Sequence, residues 1–364
     1  MIHPPYFTSI HANAARRWQQ LEQDPELAAP WHQLFKQVQS PRHVLSELLQ
    51  NADDAGATIA SVAIQADEFV FTHNGEDFTE EHFASLCRFG YSNKRSLHTI
   101  GFRGIGFKST FSLGDEVKLF TPTLAVAFRK ARFTEPIWLG QKQPTTQQTE
   151  IRVRIKDQHR QRELEKNLAE WLNSPVSLLF FRSIRCLRIN AQEVRWVFKA
   201  AGPIADSAWM NLSTAPDKPY LLIHSPLAPF PPAAIEEIRQ ERMVSEEDAA
   251  TFPPCRIEIV LGNEGRLFVI LPTGVKTELP FACNAPFIQD PARVKLKDPE
   301  TSPTNRWLLQ RTGELAAHSM LAWLNQSQSN NTDRSTAYQL FPDVDRNDDS
   351  LEGSCATWVE QAFE

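Results

Sequence analysis

The chain has 364 residues, and 38 basic against 44 acidic side chains leave a net charge of −6 with histidine neutral. At about 150 residues per domain this length allows two domains or three small ones. With 41% hydrophobic residues the chain can bury a sizeable core, which excludes global disorder. The mildly acidic balance argues against a protein whose whole surface grips nucleic acid or anionic lipid, while local basic patches stay open.

The best apolar run, 176–181, is far short of the ~20 residues of a membrane span. The opening MIHPPYFTSIHANAARR lacks a secretion-signal layout. Five cysteines (Cys87, Cys186, Cys255, Cys283 and Cys355) lie far apart with no CxxC pair. That fits free thiols in a reducing compartment and disfavours structural zinc. Together these features predict a soluble, cytoplasmic protein.

In chain order, 11–40 has helical periodicity, broken near Pro30. Pro41 then sits where a first helical turn tolerates it, and RHVLSELLQNADDAGA follows. Val44, Leu45, Leu48, Leu49 and Ala52 recur at helical spacing, and Gly56 predicts the stop. Two short strands over 61–65 and 69–72 hinge at 66–68, and a polar HNGEDF turn leads to a helix over 80–88. Rich in glycine, serine and basic residues, 90–106 reads as a mobile loop.

Strands follow at 117–121, 125–129 and 150–155, and a charged helix over 158–172 closes a first unit. The run 178–189 starts something new. Proline-rich PLAPFPPAA (226–234) predicts a rigid loop, ahead of strands at 256–261 and 266–271 and a helix over 306–324. QSQSNNTDRST and DVDRNDDS are polar and predict flexibility, before a helix-like end, ATWVEQAFE. The chain is compatible with the front piece of a longer polypeptide, and no internal repeat is evident.

Glu47, Asn51 and Asp54 are offset by four and three, which places all three on one side of their helix. A solvated face is the ordinary reading of such a triplet. The next feature changes the odds. In GFRGIGFKS, Gly101, Gly104 and Gly106 let backbone amides approach an anion, and a helix starting near Phe107 would add its positive end. The string is not a Walker loop, because Phe107 follows Gly106 and the lysine comes one position late. Nor is it a dinucleotide fingerprint.

A helix carrying ExxxNAxDA, a strand ending in an NG turn, and a loop closing on GxxGxGF occur here in that order. In this combination the sequence resembles the GHKL (Bergerat-fold) ATPase superfamily of gyrase B, the ninety-kilodalton heat-shock chaperones, MutL proteins and histidine kinases. ELLQNADDAGA and GFRGIGFKSTF are most like its sacsin-like branch, whose N-terminal module is chaperone-like. A second stretch, LFVILPTGVKTELPFACNAPFIQDPARVKL…NRWLL (267–309), is similar to the region after the ATPase domain in sacsin-like proteins. The resemblance covers about 41–325.

That resemblance implies an α/β (α+β) fold in which a two-layer sandwich of helices on a mixed, largely antiparallel sheet spans 1–178, with a lid about 90–106. A second, transducer-like α/β domain over 179–325 and a flexible polar segment with a short helix over 326–364 would follow. It implies magnesium-dependent binding and slow hydrolysis of ATP, driving lid closure and a dimerisation switch. Asn51 matches the magnesium-ligating asparagine, Glu47 the glutamate that orients and deprotonates the attacking water, and Asp54 a pocket-lining aspartate. Gly101, Gly104, Ile105, Gly106 and Phe107 match the lid-end turn whose amides hold the phosphates, with Lys108 and Ser109 adding charge or a hydroxyl there. Lys94 stands either as a γ-phosphate contact or as a solvated loop lysine. Arg293, in NAPFIQDPARVKL, is either the cation that a downstream domain supplies to the γ-phosphate or a surface arginine capping a loop.

One departure stands out. The family's DxGxG box is HNGED here, so His73 takes the aspartate slot and Asp77 replaces the second glycine, while Asn74 and Gly75 fit a DNGxG form. A neutral imidazole nitrogen or the Asn74 amide oxygen is then the acceptor for the adenine amino group, and either is weaker than a carboxylate. The expected partners are nucleotide, a second copy of the chain on ATP binding, and an unidentified protein client, with no membrane. A nucleotide-sensing or nucleotide-independent adaptor is the second reading, and a DNA-associated part the third. The basic stretches RVRIKDQHRQR (152–162) and RSIRCLR (182–188) read first as solvated faces, and the acidic net charge weighs against nucleic acid. The scattered histidines predict no metal cluster, and no GxSxG supports a serine nucleophile.

Overall fold

Helix α1 (Phe7–Gln23) buries Phe7, Ile10, Ala14, Trp18 and Leu21, a three-to-four-residue spacing that keeps one apolar stripe inward. The computed structural model describes residues 3–24, 26, 41, 44–88, 106–140, 147–173, 175–242, 252–290, 295–326 and 334–364. The expected helical segment over 27–40, with its break at Pro30, lies outside them. Helix α2 (Val44–Asp54) buries the five apolar positions its periodicity predicted, and Gln50 and Asp53 as well. It stops as expected at Gly56, whose φ of 70° is the left-handed conformation that glycine adopts without a Cβ penalty. There the Gly56 and Ala57 amides close on the carbonyls of Asp53 and Ala52.

Strands β1 (Ile59–Gln65) and β2 (Glu68–His73) form an antiparallel hairpin from Gln65↔Glu68 to Ala60↔His73. Helix α3 (Glu80–Leu86) follows, its N-terminus capped by the Thr79 hydroxyl, which accepts from the His82 amide at 3.2 Å. Next come a 3₁₀ helix (Gly106–Ser112), β3 (Glu116–Phe120), β4 (Ala125–Arg129), β5 (Arg132–Trp138), β6 (Thr149–Arg154) and α4 (Gln158–Asn173). A second 3₁₀ turn (Pro175–Leu179) precedes β7 (Cys186–Ile189). The strands run in the order β7-β1-β2-β6-β3-β4-β5, antiparallel except for the parallel β1–β7 pair.

Two compact units divide the chain: Met1–Pro175 with Phe181–Val194, and Val176–Phe180 with Arg195–Glu364. This corrects the expected boundary at 178. The run 178–189 was expected to open a new domain, yet β7 pairs with β1 and completes the first sheet. The chain is mixed α/β, as expected, and no described helix is long and apolar enough to cross a membrane.

The second unit carries β8 (Gln192–Ala201) from Arg195 onward, β9 (Ser207–Leu212), β10 (Ala215–His224), α5 (Pro232–Arg242), β11 (Glu258–Leu261), β12 (Arg266–Val269), β13 (Leu271–Lys276), β14 (Phe281–Asn284) and α6 (Pro303–Leu324). A 3₁₀ turn (Arg334–Leu340) and α7 (Leu351–Phe363) end it. Its strand order is β13-β12-β14-β11-β10-β9-β8. The proline-rich stretch is not only a loop: Pro232 opens α5, where its missing N–H costs nothing. The expected single strand over 266–271 is broken at Ile270, whose φ of 60° turns β12 into β13. Nor is the described part of 326–364 loose. Ala337, Leu340, Cys355, Ala356 and Val359 join Leu308, Leu309, Ala316 and Trp323 in one buried cluster.

Candidate functional site

The C-terminal end of α2 is the centre of the site. Glu47, Asn51 and Asp54 are all half-buried on this helix, and α2 packs against the 3₁₀ helix that begins at Gly106. The turn after β2 approaches the same end. The Glu76 amide donates to the Ala55 carbonyl at 2.8 Å, and a Cβ on Gly75 would lie 2.7 Å from that oxygen and 3.0 Å from the Ala55 Cβ. Only a glycine passes there, which accounts for Gly75 without any ligand. Lys94, Gly101, Gly104, Ile105 and Arg293 lie outside the described residues, as does the lid except for Gly106.

Asn74 is a hinge pin of the turn. Its Oδ1 accepts from the Thr58 and Ile59 amides, both at 2.9 Å, and its Nδ2 donates to the Thr58 hydroxyl at 2.8 Å. His73 is buried, and the Gly75 amide donates to its Nδ1 at 3.1 Å. With Nδ1 serving as acceptor, the proton of the neutral ring sits on Nε2, which is then a donor. Both acceptors expected for an adenine amino group are thus already used by backbone amides. Asp77, in the second-glycine slot, accepts from the Phe78 amide and, through Oδ2, from the Thr123 hydroxyl at 2.7 Å.

Thr149 went unnoticed in the sequence. It stands directly across from His73 on β6, and its Oγ1 is buried with no partner among the described groups. Opposed residues on antiparallel strands project to one face, so hydroxyl and imidazole are neighbours. Nothing short of the β2–β6 register could have found this pair, because 76 residues separate its members.

Burial holds the His73 imidazole down at about 4, against an ordinary 6.5. The unfolded chain therefore takes up a proton between pH 6.5 and 4 that the folded chain refuses. Stability is expected to fall by about 3 kcal/mol as pH drops through that window and to level off below it. Urea unfolding at pH 7 and pH 4.5 checks this. The His73→Gln variant should lose less stability than wild type on acidification, and equal losses would overturn the assignment.

Downstream of Gly106, Phe107 is buried edge-on against Phe128 at 5.6 Å. Lys108 is buried as well. Its Nζ donates to the Leu86 carbonyl and lies 5.2 Å and 5.8 Å from the ring centres of Phe107 and Phe128. Burial pushes its ammonium down to about 8. This lysine fastens the 3₁₀ helix to the end of α3. Ser109 is buried, and its Oγ has no partner among the described groups.

Next to Asp54, the buried Asp53 has a different task. Its carboxylate accepts from three successive amides, Arg182 at 3.1 Å, Ser183 at 2.8 Å and Ile184 at 3.0 Å, and so ties the end of α2 to the approach to β7. In the basic stretches, Arg152 pairs with Glu150 and Glu68, Arg154 with Asp67, and Arg188 with Glu193.

In the second unit, the two flanks of the Arg293 segment are pinned together. Asn305, fully buried, accepts from the Ile288 amide at 2.7 Å and donates to the carbonyls of Ile288 and Lys297. Asp290 and Lys295 exchange a further pair of bonds. Asn284 instead holds the strained Ile270, accepting from its amide at 2.6 Å while donating to Glu258.

Oxygen donors on α2 suit a hard cation, and magnesium commonly takes one or two protein oxygens with the rest from phosphate and water. Among the described residues no cluster of three His, Cys, Asp or Glu side chains could hold a metal by itself. Asn51 carries a side-chain oxygen on this helix, with Glu47 and Asp54 one turn away on either side. No protein-family model matches the chain, and no curated protein matches it in sequence.

Proposed function

We propose that the first unit is a GHKL-type sandwich that binds magnesium–ATP and hydrolyses it slowly, so that lid closure switches the chain's conformation and pairs it with a second copy. One observation carries this reading. The helix bearing Glu47, Asn51 and Asp54 packs on the segment that emerges from the Gly101–Gly106 run, so a phosphate chain held by that run's amides would lie alongside the helix. Glu47 would orient and deprotonate the attacking water, and Asn51 would hold magnesium, which when bound neutralises charge on the phosphates. Arg293 would be the cation that meets the γ-phosphate. Lid motion would set the pace.

Titration calorimetry with ATP and a non-hydrolysable analogue, with and without magnesium, tests the site. Asn51→Ala is expected to abolish the magnesium-dependent part of binding. Unchanged magnesium dependence in this variant would overturn the reading. A second reading, an adaptor with no significant turnover, draws on the occupied acceptors of His73 and Asn74, the two groups expected to receive an adenine amino proton. It takes the lead if wild type binds no nucleotide at millimolar concentration.

A further inference from the structure

Two buried polar side chains share one face of the first sheet where β2 ends and β6 begins. His73 is the last residue of β2 and Thr149 the first of β6, and the two stand directly opposite in the register. They are 7% and 1% exposed. The Thr149 hydroxyl has no partner among the described groups. On the imidazole, the Gly75 amide engages Nδ1 at 3.1 Å. A backbone N–H can only donate, so Nδ1 carries the lone pair and Nε2 the hydrogen. Burial holds the ring's protonation well below its ordinary range, so this neutral tautomer is the form present at pH 7.

A buried hydroxyl left without a bond is uncommon in a native fold and calls for a reason. Packing does not supply one, since the same face of β2 is already filled by the fully buried rings of Phe69 and Phe71. A bound base would. This inference rests on the GHKL-type reading above, in which the exocyclic group of the base meets the residue in the His73 slot. Adenine brings an amino donor to that slot, with an acceptor nitrogen beside it, so two N–H groups would oppose each other. A 6-oxopurine has the reverse order, a carbonyl oxygen beside a ring N–H. Its oxygen accepts from Nε2, and its N–H donates to the Thr149 hydroxyl, which can serve in either role.

We infer that His73 and Thr149 select the base, so that a 6-oxopurine nucleotide is the preferred ligand of the site and ATP a weaker one held by the same phosphate and magnesium contacts. Calorimetry of the full chain with magnesium–GTP, magnesium–ITP and magnesium–ATP tests this. GTP and ITP are each expected to bind about tenfold or more tighter than ATP, because a site that pairs with one base edge leaves its own polar groups unpaired with the other. ITP lacks the 2-amino group, so ATP-like affinity for ITP would overturn the role given to the oxygen. His73→Asp puts an acceptor in place of the donor and is expected to bring ATP above GTP. A buried carboxylate can disturb the fold, so Thr149→Val is the second variant. It is nearly isosteric and removes no bond seen in the fold, and it is expected to weaken GTP about fivefold with an unchanged thermal melt. ATP bound as tightly as GTP and ITP, or unchanged GTP affinity in Thr149→Val, would overturn the base preference alone and leave the magnesium–phosphate site standing. Binding of none of the three at millimolar concentration would overturn the nucleotide site and this preference with it.

Discussion

Glu47→Ala is expected to lower ATP turnover by about 10²–10⁴-fold, the range over which a positioned general base contributes, while magnesium–ATP binding stays close to wild type. The split follows from position. In the proposed reading Glu47, one helical turn before Asn51, would meet the attacking water, whereas Asn51 and the glycine run would hold the metal and the phosphates. A loss in kcat without a matching loss of affinity is the signature of a group that acts in the transition state. Single-turnover hydrolysis alongside calorimetry measures both. Equal turnover in Glu47→Ala and wild type would remove the ATPase reading and leave the adaptor.

Asp53→Ala, one residue from a site position, is expected to cost about 3–5 kcal/mol of stability, a loss typical of breaking a buried charged network. Asp53 is 4% exposed, and its carboxylate accepts from the amides of Arg182, Ser183 and Ile184. Hydrogen bonds to a charged acceptor contribute about 1.5–3 kcal/mol each, and the alanine variant leaves all three donors without that partner. Asp53→Asn keeps an acceptor oxygen and should fall between the two. Urea unfolding gives the ordering wild type, Asn, Ala, and a loss under about 1 kcal/mol in the alanine variant would contradict the account.

The pair Asp53 and Asp54 shows how far sequence could go. Periodicity placed α2, its apolar face and its Gly56 stop, because helical spacing and a left-handed glycine are local signals. It singled out Asp54 from its offsets to Glu47 and Asn51. It could not see that Asp53 turns inward, because the amides that call for a carboxylate there lie about 130 residues further on. The same limit hid β7, whose four residues count as part of the first unit only through their pairing with β1. Strands β8 to β10 were missed for another reason: β8 is exposed along most of its length, so no alternation marks it. At the HNGED turn the residues were legible but their bonds were not. His73 and Asn74 are acceptors by type, and only the backbone shows that Gly75, Thr58 and Ile59 already use them.

The parallel pairing of β1 with β7 also sets an order of events during synthesis. The first strand of the first unit waits for a neighbour encoded more than 120 residues later, and Val176–Phe180 between them belongs to the other unit. A ribosome must therefore deliver almost 190 residues beyond its exit before this sheet can close along β1. Until then the β1 edge and the Asp53 carboxylate stand without partners from 181–189, so a nascent chain passes through a stage with an open sheet edge. Contacts of such sequence separation carry a high loop-closure cost and make folding slow. The feature that joins helix end to strand in the finished protein is thus also what delays the first unit until nearly its whole length has been made.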